Sequence, residues 1–192
     1  MNEGRTVSAP SPGNTGLGLE DVARYLKGPP PEMAQYAFFV GAWNCTLHLP
    51  VPGAAEPLVL RAEWRARWVH AGRMLVDDLT VFLPDGREVL GWLNLRTFSE
   101  ETGCWEISGQ RALAPGSGVS TRGRWRDGEM HLDFATEREG RTVQHAVRFH
   151  EITEDSFAWE WTQRGPEDGD WQPFASIAAR RLEGEGGGAA AD

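Results

Sequence analysis

Lysine is almost missing from this chain: Lys27 is the single one, and every other cation is arginine. Lys27 also falls outside the strand-rich body, so Schiff-base and pyridoxal-type mechanisms have almost no residue to work with. Cysteine is scarce as well. Cys45 and Cys104 are too few for a disulfide framework or a cysteine zinc cluster, and they fall on strands that are not sequence neighbours. They read as two buried free thiols. No apolar run is long enough to span a bilayer. The N-terminus lacks a cationic start followed by an apolar stretch, so no secretory signal is read and the expected compartment is the cytoplasm.

Catalytic signatures are missing too. There is no Gly-x-Ser-x-Gly, no Walker loop, no Rossmann glycine pattern and no His-Glu-x-x-His. His48, His70, His131 and His150 follow no metal-ligand spacing, so neither a metal nor another cofactor is expected. A formal net charge of −9 argues against nucleic acid, which demands concentrated cations.

What the chain does have is turn residues at short, regular intervals. Residues 1–17 are rich in Ser, Pro, Gly and Asn and read as a disordered leader. Residues 18–37 read as a short helical plug: Leu19 to Leu26 has apolar residues at helical spacing and ends at Gly28-Pro29-Pro30-Pro31. From Phe38 to about residue 183, Gly, Pro, Asn and Asp punctuate the chain into about ten strands. The expected strands are 42–49, 58–69, 73–82, 87–98, 104–112, 118–126, 129–137, 142–152, 156–163 and 172–182. Short connections imply an antiparallel meander, and a meander this long avoids exposed edges by closing into an up-and-down barrel. Residues 184–192, rich in Gly and Ala, read as a disordered tail. With 192 residues, one all-β domain with a single core is expected.

Two-residue turns let the hairpins be paired explicitly. Glu139-Gly140 sets Phe134 opposite His145, Leu132 opposite Val147 and Met130 opposite Phe149; Asp127-Gly128 sets Trp125 opposite Met130. The other face then pairs Arg122 with Asp133 and Arg126 with Glu129, a solvated wall of alternating charge rather than a phosphate site. Alternation along 58–69 turns Trp64 and Trp68 inward, and along 156–163 it does the same for Trp159 and Trp161. Two readings follow for these aromatics: they fill a small barrel, or they wall a cavity.

Residues 87–112 are less regular. If Phe98 pairs with Trp105, then Trp92, Asn94 and Arg96 face inward together with Trp105 and Arg111, and the Asp85-Gly86 turn brings Asp77 beside Asn94. A one-residue slip would turn Asp78 inward instead. Inward arginines must be paired, either in a structural Asp–Arg network or in a polar patch that orients a ligand's carboxylate, enol or phenolate. His145 is the one histidine on the apolar face. It is either a hydrogen-bonded core residue or a general base with a pKa lowered by burial.

The Gly41-x-Trp43 entry to the first strand, the meander and the closing Arg180-Arg181 resemble the lipocalin-like (calycin) barrels. The chain is most similar to an uncharacterised bacterial branch of that superfamily. That branch has a Trp-rich second strand running into a tight Gly-Arg turn, here Trp68 to Arg73, and a later Gly-…-Thr-Gly-x-Trp stretch, here Gly91 to Trp105. The resemblance implies that Trp43 caps the barrel bottom with a C-terminal arginine over it, and that the interior offers a generic apolar pocket. Ten-stranded haem-binding relatives, the nitrobindins, have motifs that are not matched here; haem would need His145 or another histidine as axial ligand.

Three function classes are expected. The first is binding of a small hydrophobic molecule by Trp64, Trp68, Trp92, Asn94, Arg96, Trp105, Phe134, Trp159 and Trp161. The second is a cofactor-independent isomerase or cyclase acting on a polyketide- or polyene-like substrate, with His145, Arg111 and Asp77 as its catalytic groups. The third is a filled barrel serving as an interaction module, a homodimer through an open sheet edge.

Overall fold

The structure is a computed structural model that describes residues 18–112, 114–167 and 169–182. The expected leader over 1–17 and tail over 184–192 lie outside the described residues. The chain forms a short helix α1 (Leu19–Leu26), a 3₁₀ helix (Pro31–Phe39) and ten strands. These are β1 (Gly41–Leu49), β2 (Leu58–Val69), β3 (Met74–Phe82), β4 (Glu88–Ser99) and β5 (Cys104–Arg111), followed by β6 (Ala114–Arg126), β7 (Glu129–Arg138), β8 (Arg141–His150), β9 (Ser156–Arg164) and β10 (Gln172–Arg181). Each strand pairs antiparallel with its sequence neighbour, and β10 returns to β1, closing the barrel. Closure leaves no open strand edge, so the edge-to-edge route to a homodimer is not available. Among the described residues no helix is long and apolar enough to cross a membrane.

The turns explain the register. Asp127 and Gly128 have φ of 51° and 83°, and Glu139 and Gly140 have 52° and 74°. Two successive positive φ values make a turn whose twist matches that of the flanking strands, which fixes which residues face each other. Phe134 is opposite His145, Leu132 opposite Val147, Met130 opposite Phe149 and Trp125 opposite Met130. Arg122 faces Asp133 and Arg126 faces Glu129 on the outer wall. The region left open by the sequence has Phe98 opposite Trp105, Trp92 opposite Arg111 and Asp77 opposite Asn94. Asp77 is therefore the buried aspartate, and Asp78 is exposed.

Two ends follow from the topology. The connections β4–β5, β6–β7 and β8–β9 surround one end, and here the 3₁₀ helix closes the barrel with Met33, Tyr36 and Phe39 buried. The helical plug expected over 18–37 is thus carried by this segment, whereas α1 has no buried residue. Arg73, from the β2–β3 turn, holds α1 in place by donating to the carbonyls of Arg24 (2.6 Å), Tyr25 (2.7 Å) and Gly28. Cations at a helix C-terminus satisfy orphan carbonyls in this way.

Aromatic edges pack the closed end. Phe39 meets Trp64 edge-on at 4.9 Å, Tyr36 meets Trp105 at 4.6 Å, and Trp43 meets Phe157 at 4.8 Å. Burying each such ring contributes about 1.5–3 kcal/mol, with a further 0.5–1.5 kcal/mol for edge geometry. Arg181 lies 4.2 Å over the Trp43 ring and donates to the carbonyls of Val40 (2.8 Å) and Phe38 (3.1 Å).

Candidate functional site: an aromatic cavity above a buried ion pair

At mid-barrel the inward positions of β2, β3 and β4 bring Trp64, Asp77, Asn94 and Arg96 together. Asp77 is fully buried, and Arg96 is 4% exposed. Asp77 Oδ1 accepts from Trp64 Nε1 and Asn94 Nδ2, both at 2.8 Å, while Oδ2 accepts from Arg96 Nε at 2.5 Å. Arg96 Nη1 donates to the Tyr36 hydroxyl at 2.8 Å. The guanidinium lies 5.0 to 5.5 Å from the ring centres of Tyr36, Phe39 and Phe149. Burial alone would lower the Arg96 pKa, but the Asp77 carboxylate overrides it and holds the value above the ordinary one. Burial raises the Tyr36 pKa, and the Arg96 charge only partly offsets this. The pair is locally neutral and its polar atoms are well met, the condition under which a buried ion pair is tolerated.

Above this network is a cavity of about 100 Å³. Trp64, Trp92, Trp159, Trp161 and Phe134 wall it, and Asn94 and Arg96 supply polar groups. Seven residues expected from the sequence to bind a ligand therefore share one space. Leu79, Ile107, Val147 and Phe149 complete the apolar wall, and Thr121 adds a hydroxyl. Strand alternation already places Val147 and Phe149 inward. Tyr36 is different: it reaches the network from outside the meander, and its one sequence signal is a polar-tipped aromatic just before the first strand.

Five expected residues stand off the cavity wall. Trp68 is half-buried toward the closed end, where it pairs with Leu75. Trp105 is fully buried beneath Tyr36, donates to Gln35 Oε1 at 2.9 Å, and borders a separate crevice of about 390 Å³ outside the plug. Alternation gives the direction of a side chain but not its height along the barrel axis, which is why both were grouped with the ligand wall. His145 and Arg111 lie toward the end opposite the plug. Asp77, the third expected catalytic group, is spent on Arg96, Asn94 and Trp64.

His145 stacks on Phe134 at 4.6 Å between ring centres. Trp161 Nε1 lies 3.0 Å from His145 Nδ1, and Thr136 Oγ1 lies 2.8 Å from Nε2. Indole N–H can only donate, so Nδ1 accepts and the neutral ring carries its proton on Nε2, directed at Thr136. Burial lowers the His145 pKa, and the charges of Arg138 and Arg111 lower it further. Arg111 stacks over Trp92 at 4.8 Å, and its Nε is buried without a hydrogen-bond partner.

Haem does not fit this interior. Both ring nitrogens of His145 are engaged, and His48, His70, His131 and His150 take outward or turn positions. The cavity is also below the usual range for ligands of that size, about 300–1,000 Å³.

No protein-family model matches the chain, and no curated protein matches its sequence. Among solved structures it is similar to Rv2717c from M. tuberculosis, with a TM-score of 0.57 and 14% identity over 80% of this chain and 99% of that one. At that identity the likeness is one of fold, and it agrees with a lipocalin-like closed barrel.

Proposed function

We propose that this protein is a lipocalin-like barrel that binds a small hydrophobic molecule, of about one aromatic ring, in the cavity above Arg96. The observation that carries the reading is the cavity itself: about 100 Å³, with four tryptophans in its wall. An apolar cavity of about 150 Å³ holds a benzene ring in another protein, so about 100 Å³ sets one ring as the upper bound on what this space encloses. Neither of the earlier extremes describes the interior, since the closed half is filled by the plug and the upper half retains space.

Size and bonding favour binding over the isomerase or cyclase reading. A polyene or polyketide chain is too large for this volume. Asp77 accepts hydrogen bonds at both oxygens and His145 is engaged at both nitrogens, so neither is poised to take a proton.

Indole and toluene titrations followed by tryptophan fluorescence test the reading. Saturable changes are expected, and Leu79→Trp, which fills the cavity from β3, should abolish them. Native mass spectrometry of protein purified without added ligand should show a bound mass that denaturation removes. An unsaturable response to both probes, with no bound mass, would sink the proposal.

A further inference from the structure

The two ends of the cavity differ in charge balance, and this difference bears on the class of ligand. At the deep end Arg96 is already neutralised by Asp77 at 2.5 Å. A second anion placed there would be uncompensated in an apolar wall. At the mouth three arginines gather on one side. Arg111 is the last residue of β5, Arg138 the last of β7 and Arg141 the first of β8, and Arg138 stands directly opposite Arg141. Like charges directly opposed on a sheet are unfavourable. Glu167 meets Arg141 at 3.5 Å; among the described residues no carboxylate lies within ion-pair distance of Arg111 or Arg138. Arg138 and Arg111 both act on His145, so their charges converge on the same side of the barrel interior. These arginines form a cationic patch on the β5 to β8 side of a rim whose other turns and strand ends also carry Asp85, Glu88, Glu139 and Asp170.

Unmet polar atoms mark the same region. Arg111 Nε and Gln163 Oε1 are buried without a partner on this side of the barrel, Gln163 pairing with His145 across β8 and β9; a third such atom, Thr121 Oγ1, lines the cavity deeper, level with Arg96. Buried polar groups are normally satisfied, and an orphan usually awaits a water or a ligand atom.

We infer that the ligand is a small aromatic or alkyl carboxylate, its apolar body among the tryptophans and its carboxylate at the mouth against Arg111 with Arg138 behind it. This rests on the binding reading above and gives it a direction: apolar end inward, anion outward. The Nε of Arg111 donates to one carboxylate oxygen, while the stacked Trp92 ring keeps the guanidinium plane in place.

The test compares phenylacetate with phenylacetamide, which differ in charge but hardly in shape, by calorimetry on the full chain at pH 7. Phenylacetate should bind about tenfold more tightly, the usual gain from a charge-assisted hydrogen bond. Arg111→Met should bring the two affinities together while leaving the thermal midpoint close to wild type. Arg138→Met, at an exposed position where folding is not at issue, should reduce the preference by about two- to threefold, as expected of a nearby unbonded charge. Carboxylate binding should also raise the His145 pKa read by NMR, because the anion offsets the two arginines. Equal affinities, or a preference that survives Arg111→Met, would overturn this inference and leave the cavity reading standing. If neither compound nor indole binds, the cavity reading itself fails, and this inference fails with it.

Discussion

The plugged end of this barrel and its mouth are built from the same strands to opposite rules. At the plugged end the buried charges are paired at hydrogen-bond distance and the rings meet edge to face. Tyr36 enters from outside the meander to satisfy Arg96. At the mouth, arginines face one another, two buried polar atoms have no partner, and burial and two positive charges lower the pKa of a histidine. Orphaned polar atoms occur at both ends, Arg73 Nε and His150 Nε2 at the plugged one, but those at the mouth adjoin arginines that have no carboxylate partner among the described residues. Such a division is expected of a fold that holds a binding site open on a rigid base.

Substitution at the two arginines gives the widest test of that division. Arg96→Met leaves Asp77 buried and unpaired, and should cost about 3–5 kcal/mol in urea unfolding. Arg111→Met removes a charge that has no carboxylate partner, and should cost under about 1 kcal/mol. Equal costs at both sites would erase the contrast.

His145 gives a test of intermediate size. Its folded pKa is depressed below the ordinary 6.5, so the unfolded chain takes up a proton first as pH falls. Stability should therefore be flat above about pH 6.5 and decline below it, by at most about 1.4 kcal/mol per pH unit, until the folded pKa is reached. His145→Gln should remove that portion of the slope. An unchanged slope in the variant would show that the mouth holds no such neutral histidine.

Thr121→Val should have the smallest effect. Replacing an orphaned hydroxyl by an isosteric methyl is expected to be neutral or to stabilise by a few tenths of a kcal/mol, seen as an unchanged or slightly raised Tm. A loss above about 1 kcal/mol would mean that the hydroxyl is satisfied after all.

Much of this architecture was legible in the sequence because two-residue turns and strict alternation are local signals. Asp127-Gly128 and Glu139-Gly140 define their hairpins, so the facing residues of β6, β7 and β8 follow without tertiary information. The register around β4 was open because several polar residues alternate there and either face could be the inner one. What decides it is a long-range partner: Asp77 has somewhere to go only if Arg96 and Asn94 are on its side. Tyr36 was out of reach for the same reason, as nothing local says that a 3₁₀ turn before the first strand will lie beneath an arginine in the fourth. Trp105 and Trp68 show a further limit, since facing inward does not specify depth in a tilted barrel.

The seam between β1 and β10 joins residues about 130 positions apart, such as Leu47 and Ile177, so its closure entropy is met only late in folding. During synthesis β1 emerges early and must keep one side unpaired until the last strand leaves the ribosome. Arg181, which clasps Phe38, Val40 and Trp43, then acts as a completeness check. A nascent chain stopped before β10 would present raw edges on β1 and β9 to its neighbours, while a finished chain hides both at once. The interior space, and whatever it holds, therefore comes into being only with the final strand.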